Sequence, residues 1–103
     1  MHLVEIFLPL FDSQGNKLSD TLFEQTSEEL IQKLGGLTAY IRSPAKGFWK
    51  PEQQTGTVVD ELIVLEIMVK DLSRTEWAEY RMLLEKRFQQ EKIIMRAHAF
   101  ELL

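Results

Sequence analysis

The residues able to do chemistry are few, and three of them, Glu5, Arg96 and His98, lie near the two ends of the chain. His98 is the one internal histidine, and Arg96 stands two positions before it. Alternate positions share a face of a strand, so the two side chains point the same way. Glu5 and Glu66 interrupt apolar runs, and Arg42 closes an alternating segment that also carries Tyr40. An imidazole that titrates near neutral pH can move a proton, and a guanidinium binds carboxylates or phosphates through two parallel hydrogen bonds. His98 is thus the candidate catalytic base. Tyr40, Arg42, Arg96, Glu5, Glu66 and Trp49 are the candidate ligand contacts.

Other chemistries lack their residues. Cysteine is absent, so there is no disulfide framework, thiolate ligand or cysteine nucleophile. A metal at His98 with Glu5 or Glu66 would fall short of the three or four protein ligands such sites usually gather, so no metal and no cofactor is expected. No nucleophile elbow, phosphate loop or dinucleotide fingerprint is present. Gly35 and Gly36 precede a strand rather than a helix and read as a helix stop.

The chain has 103 residues with 12 basic and 16 acidic side chains, a net charge of -4. That length suits one domain, and the acidic balance opposes nucleic-acid binding, which draws on Lys and Arg to neutralise phosphates. Phe7, Tyr40 and Phe100 imitate the base-stacking platform of RNA-binding sheets, but the basic and aromatic signature of those modules is missing. The longest apolar runs are too short to span a bilayer, and the start has no basic segment with a cleavage site. The expectation is a cytoplasmic chain that binds neither membrane nor nucleic acid.

Six elements must position these residues. Residues 3–10 read as a strand and 12–16 (DSQGN) as a turn. Ser19 or Asp20 caps a helix to residue 34, although Thr26 with Glu29 offers a capping box that would split it. Residues 37–42 alternate as a half-buried strand, and 58–69, rich in β-branched residues, carry the strongest strand signal. Ser73 with Glu76 caps a second helix to about residue 90, with Trp77, Tyr80, Leu84 and Phe88 on one face. Residues 92–102 form the last strand. The order β-α-β-β-α-β predicts an α+β, ferredoxin-like sandwich over residues 1–103: an antiparallel sheet of order 4-1-3-2, with both helices on one face.

Strand parity assigns a purely apolar face to the helices, including Val4, Ile6, Leu8, Leu65 and Ile67. The opposite face mixes Leu3, Phe7, Tyr40, Leu62, Val64, Met68, Ile94 and Phe100 with Glu5, Glu66, Arg42, Arg96 and His98. That face is too apolar to stay wet, which predicts a homodimer in which a second copy covers it. A bulge would invert a strand's assignment, and Asp60 and Glu61 are its expected place. The charges have two readings. They form a cross-strand ladder, Glu5 with Arg96 and Glu66 with Arg42, or they line a cavity in which Arg42, Arg96 and His98 hold a small organic ligand. Residues 43–56 read as a long connection carrying Phe48 and Trp49. Trp49 tucks onto its own domain, reaches a partner subunit, or lids a ligand pocket. Trp77, on the helix stripe, is the expected core tryptophan.

The element order and mixed open face resemble the dimeric α+β barrel group of ferredoxin-like proteins, in which two sheets pack face to face. Its members include cofactor-free monooxygenases, isomerases, haem-degrading enzymes and proteins with no assigned activity. The stretch from 35 to 49 is also similar to small bacterial proteins without an assigned activity. The resemblance implies a fold and a dimer, but it carries no activity. Two functions follow as expectations: a homodimeric binding or interaction module, or a small metal-free enzyme acting on a hydrophobic, polar-tipped substrate at the open face.

Overall fold

A computed structural model describes the backbone of residues 1–34, 38–49 and 58–103, and the side chains of 1–33 and 62–103. It is an α+β fold: an antiparallel sheet with two helices. The elements in chain order are β1 (His2–Pro9), α1 (Asp20–Leu34), β2 (Thr38–Trp49), β3 (Val58–Val69), α2 (Arg74–Arg87) and β4 (Ile94–Ala99). The strand β1 is central, pairing antiparallel with β3 on one side and β4 on the other. The backbone of β2 pairs with the far edge of β3, so the strands run β2-β3-β1-β4.

Alternation places the core. Val4, Ile6 and Leu8 point to one side of β1, opposite Ile67, Leu65 and Ile63 of β3. With Ile93 and Met95 they meet Leu22, Phe23 and Leu30 of α1 and Trp77, Tyr80 and Leu84 of α2, together with Phe88, in one cluster. Both helices therefore cover the same face. Phe88 is fully buried, its ring tilted on Phe23 at 5.1 Å. Trp77 is half-buried, packed on the core and edge-on to Tyr80 at 6.1 Å.

Local chemistry explains the boundaries. In the turn after β1, the Asp12 carboxylate accepts from the Gln14 and Asn16 amides, and Gly15 adopts φ +81°, a conformation that costs a residue with a Cβ. The Ser19 hydroxyl accepts from the Thr21 amide at the start of α1. Ser73 caps α2 as expected, accepting from the Glu76 amide.

Several expectations are corrected. Thr26 and Glu29 do not split α1; the Thr26 hydroxyl donates to the Leu22 carbonyl one turn back and the helix runs on. The helix α2 ends at Arg87, Phe88 being its C-cap, because Gln89 turns to φ +52°. The segment after Arg42 is not loop throughout: Lys46 to Trp49 pair with Glu61 to Val58, so residues 43–49 belong to β2. The irregularity lies there too, between Ile41 and Lys46, and not at Asp60 and Glu61. Pro44 has no amide to give the ladder. Residues 50–57 lie outside the described residues.

Candidate functional site

The open face, away from the helices, is built in rows across β3, β1 and β4. Met68, Leu3 and His98 form one row, Glu66, Glu5 and Arg96 the next, and Val64, Phe7 and Ile94 the third. A charged row thus lies across the middle of an otherwise largely apolar surface.

Glu5 is the centre. Its side chain is 7% exposed and its Oε1 accepts from Arg96 Nε at 2.9 Å, with His98 Nδ1 at 3.9 Å. The Arg96 guanidinium also lies over the Phe7 ring, 4.9 Å from its centroid. One cation therefore satisfies a buried carboxylate and an aromatic face together. On its other side Glu5 stands opposite Glu66. Like charges directly opposed across strands are unfavourable, and Arg96 supplies the compensating charge.

Of the seven residues singled out from the sequence, Glu5, Arg96 and His98 stand in one constellation, and Glu66 is Glu5's cross-strand neighbour. The side chains of Tyr40, Arg42 and Trp49 lie outside the described residues; in the backbone register Tyr40 faces Val64 and Trp49 faces Val58. Glu66 stands opposite Thr38 rather than Arg42, which falls in the irregular segment of β2. The register thus offers no direct cross-strand Glu66–Arg42 pair. His98 and Arg96 are more than half exposed, whereas Val64 is fully buried within the chain. Among the described residues no group of three His, Asp or Glu side chains is placed to hold a metal.

A second polar cluster escaped sequence reasoning. Between the helices, Arg87 grips Glu29 through two hydrogen bonds of 2.7 and 2.9 Å and donates to the buried Thr26 hydroxyl at 2.9 Å. The Tyr80 hydroxyl donates to the same carboxylate at 3.1 Å. The hydrogen bonds from Arg87 hold the Glu29 carboxyl below its ordinary range, and Glu29 in turn raises Arg87. Burial, then the adjacent Glu29 charge, pushes the Tyr80 hydroxyl up. Every member of this cluster is satisfied within the fold, which makes it a clamp between α1 and α2. The spacing of Thr26 and Glu29 was the only signal, and it also fits a capping box.

No family model matches this chain, and no curated protein matches it. Solved structures do. A phage SAM lyase in its apo state aligns with a TM-score of 0.61 at 14% identity, over 94% of this chain and 78% of the lyase. A phage SAM lyase in complex with S-methyl-5′-thioadenosine aligns with a TM-score of 0.55 at 15% identity, over 94% of this chain and 79% of that one. At that identity the likeness is one of fold: this chain shares the α+β architecture of those structures.

Proposed function

We propose that the chain is a ferredoxin-like, homodimeric binding module whose open sheet face is closed by a second copy, with Glu5 and Arg96 at the polar centre of the contact. The observation that supports it best is the exposure of Met68 (52%) and Ile94 (58%) in the rows flanking the Glu5–Arg96 pair. Apolar side chains set around a satisfied ion pair suit burial against another protein surface. The charged row is also self-complementary. It reads minus, minus, plus across Glu66, Glu5 and Arg96, so a two-fold axis running along the strands near Glu5 would bring the partner's Arg96 against Glu66, with each central Glu5 neutralised by its own Arg96. Sedimentation velocity at micromolar concentration tests this: a dimer is expected, and a monomer rejects it.

The fold likeness to phage SAM lyase favours a second reading, a metal-free enzyme at the same face. Arg96 and Arg42 would then orient a polar-tipped substrate, Tyr40 and Trp49 would contact it, and His98 would move a proton. Incubation with SAM, with chromatography for S-methyl-5′-thioadenosine, tests it directly. Loss of SAM that disappears in His98→Ala supports this reading; no loss of SAM and no binding of either compound rejects it.

A further inference from the structure

The helix-covered side of the sheet holds a separate groove of about 230 Å³ where α2 passes the edge strand β4. Its wall is Arg74, Trp77, Ala78 and Arg81 of α2. Those positions are spaced i, i+3, i+4 and i+7, so the first two turns of the helix turn one stripe to the groove. Its floor includes Val4, Met95 and Ala97, and Ala97 is exposed although it points to the helix side. The helix leaves this end of β4 uncovered.

The charges of the groove are unbalanced. Among the described residues neither Arg74 nor Arg81 lies within ion-pair distance of a carboxylate. Glu85, one turn after Arg81 and its natural helical partner, is turned instead to the Ile93 amide at 2.9 Å. Two of the chain's five arginines therefore face a groove with an indole wall and an apolar floor, in a protein of net charge -4. Arg96 borders the groove too, but its guanidinium is engaged with Glu5 and Phe7 on the other face.

We propose that this groove binds a small organic anion: a flat, apolar body against Trp77 and Ala97, with a phosphate or carboxylate head held by Arg74 and Arg81. Guanidinium forks match such heads bidentately, and an indole face accepts a planar body. A few convergent polar groups on an apolar lining are the usual make-up of a small-molecule site. The site lies on the opposite side of the sheet from the Glu5–Arg96 face, so it stands or falls apart from the function proposed there.

Calorimetric titration of the full chain with phenyl phosphate tests the proposal. Trp77 fluorescence in a Trp49→Phe background, where it is the single tryptophan, reports the place of binding. Binding that perturbs Trp77 is expected, weakened about tenfold or more in Arg74→Gln/Arg81→Gln, since each tenfold corresponds to about 1.4 kcal/mol and two charge-assisted contacts are removed. Ala97→Leu, which fills the floor and leaves the charge alone, is expected to weaken binding too. Both variants alter exposed positions, and an unchanged melting temperature shows that they fold. Phenylacetate is expected to bind as well, its affinity relative to phenyl phosphate naming the preferred head. The proposal is overturned if phenyl phosphate does not bind, if the double arginine variant binds equally well, or if either inorganic phosphate or benzyl alcohol binds as tightly as phenyl phosphate.

Discussion

At the residue scale, the Glu5–Arg96 pair is asymmetric, and that asymmetry predicts how it fails. Glu5 is buried while Arg96 is 59% exposed. Removing Arg96 strands a carboxylate in a poorly solvated place; neutralising Glu5 frees a guanidinium that water can still reach. Arg96→Ala is therefore expected to destabilise the fold by roughly 1–3 kcal/mol, the usual cost of orphaning a buried polar group. Glu5→Gln, which keeps the shape and an acceptor, should cost distinctly less. Urea denaturation of both variants checks the order, and equal losses would contradict it. This pair was legible in the sequence, because strand parity alone brings positions 5 and 96 to one face once β1 and β4 are neighbours. The cluster of Thr26, Glu29, Tyr80 and Arg87 was not. Its hydrogen bonds join residues 51, 58 and 61 positions apart, and they depend on how α1 and α2 lie together, which no local pattern encodes.

At the scale of elements, that clamp gives the α1–α2 pair a pH dependence of definite sign. The Glu29 carboxyl is held below its ordinary 4.5, chiefly by the Arg87 hydrogen bonds. A depressed folded pKa contributes stability that is present above the unfolded value and lost as pH falls through the folded one. Tyr80 is raised above its ordinary 10.0, first by burial and then by Glu29. That contribution is complete below the unfolded value and lost as pH climbs through the folded one. Melting temperature should therefore decline below about pH 4.5 and above about pH 10. In Glu29→Gln the acid decline should be shallower, and in Tyr80→Phe the alkaline one; an unchanged acid limb in Glu29→Gln would remove Glu29 from the account. The helices also rank two aromatic residues. Helical spacing put Trp77 and Phe88 on one stripe, but only Phe88 is fully buried. Phe88→Ala is expected to cost roughly 3–5 kcal/mol, and Trp77→Ala less, because its rim stays in water; denaturant midpoints decide between them. Spacing identifies a stripe but does not say how deeply each member of it is covered.

At the scale of the whole molecule, what matters is which apolar groups the single chain already buries. The open face was expected to hold Val64 and Ile94 alike in a subunit contact. The fold separates them: Val64 is fully buried within one chain, while Ile94 is 58% exposed. Sequence parity places both on one face, but it cannot see how deeply each position is covered: Val64 lies on an inner strand of the sheet and Ile94 on the edge strand β4. The two positions thus test different things. A charge at Val64 should damage the monomer itself, since an uncompensated charge in a buried place costs on the order of several kcal/mol. A charge at Ile94 should leave the monomer's stability nearly unchanged, because the side chain already meets water there. If two copies meet through this face, Ile94→Arg places two new cations in the contact, beside Arg96 of each subunit. Ile94→Arg should then sediment as a folded monomer with native circular dichroism, while the parent sediments as a dimer. A dimeric Ile94→Arg would move the subunit contact off this face, and a monomeric parent would remove the contact altogether.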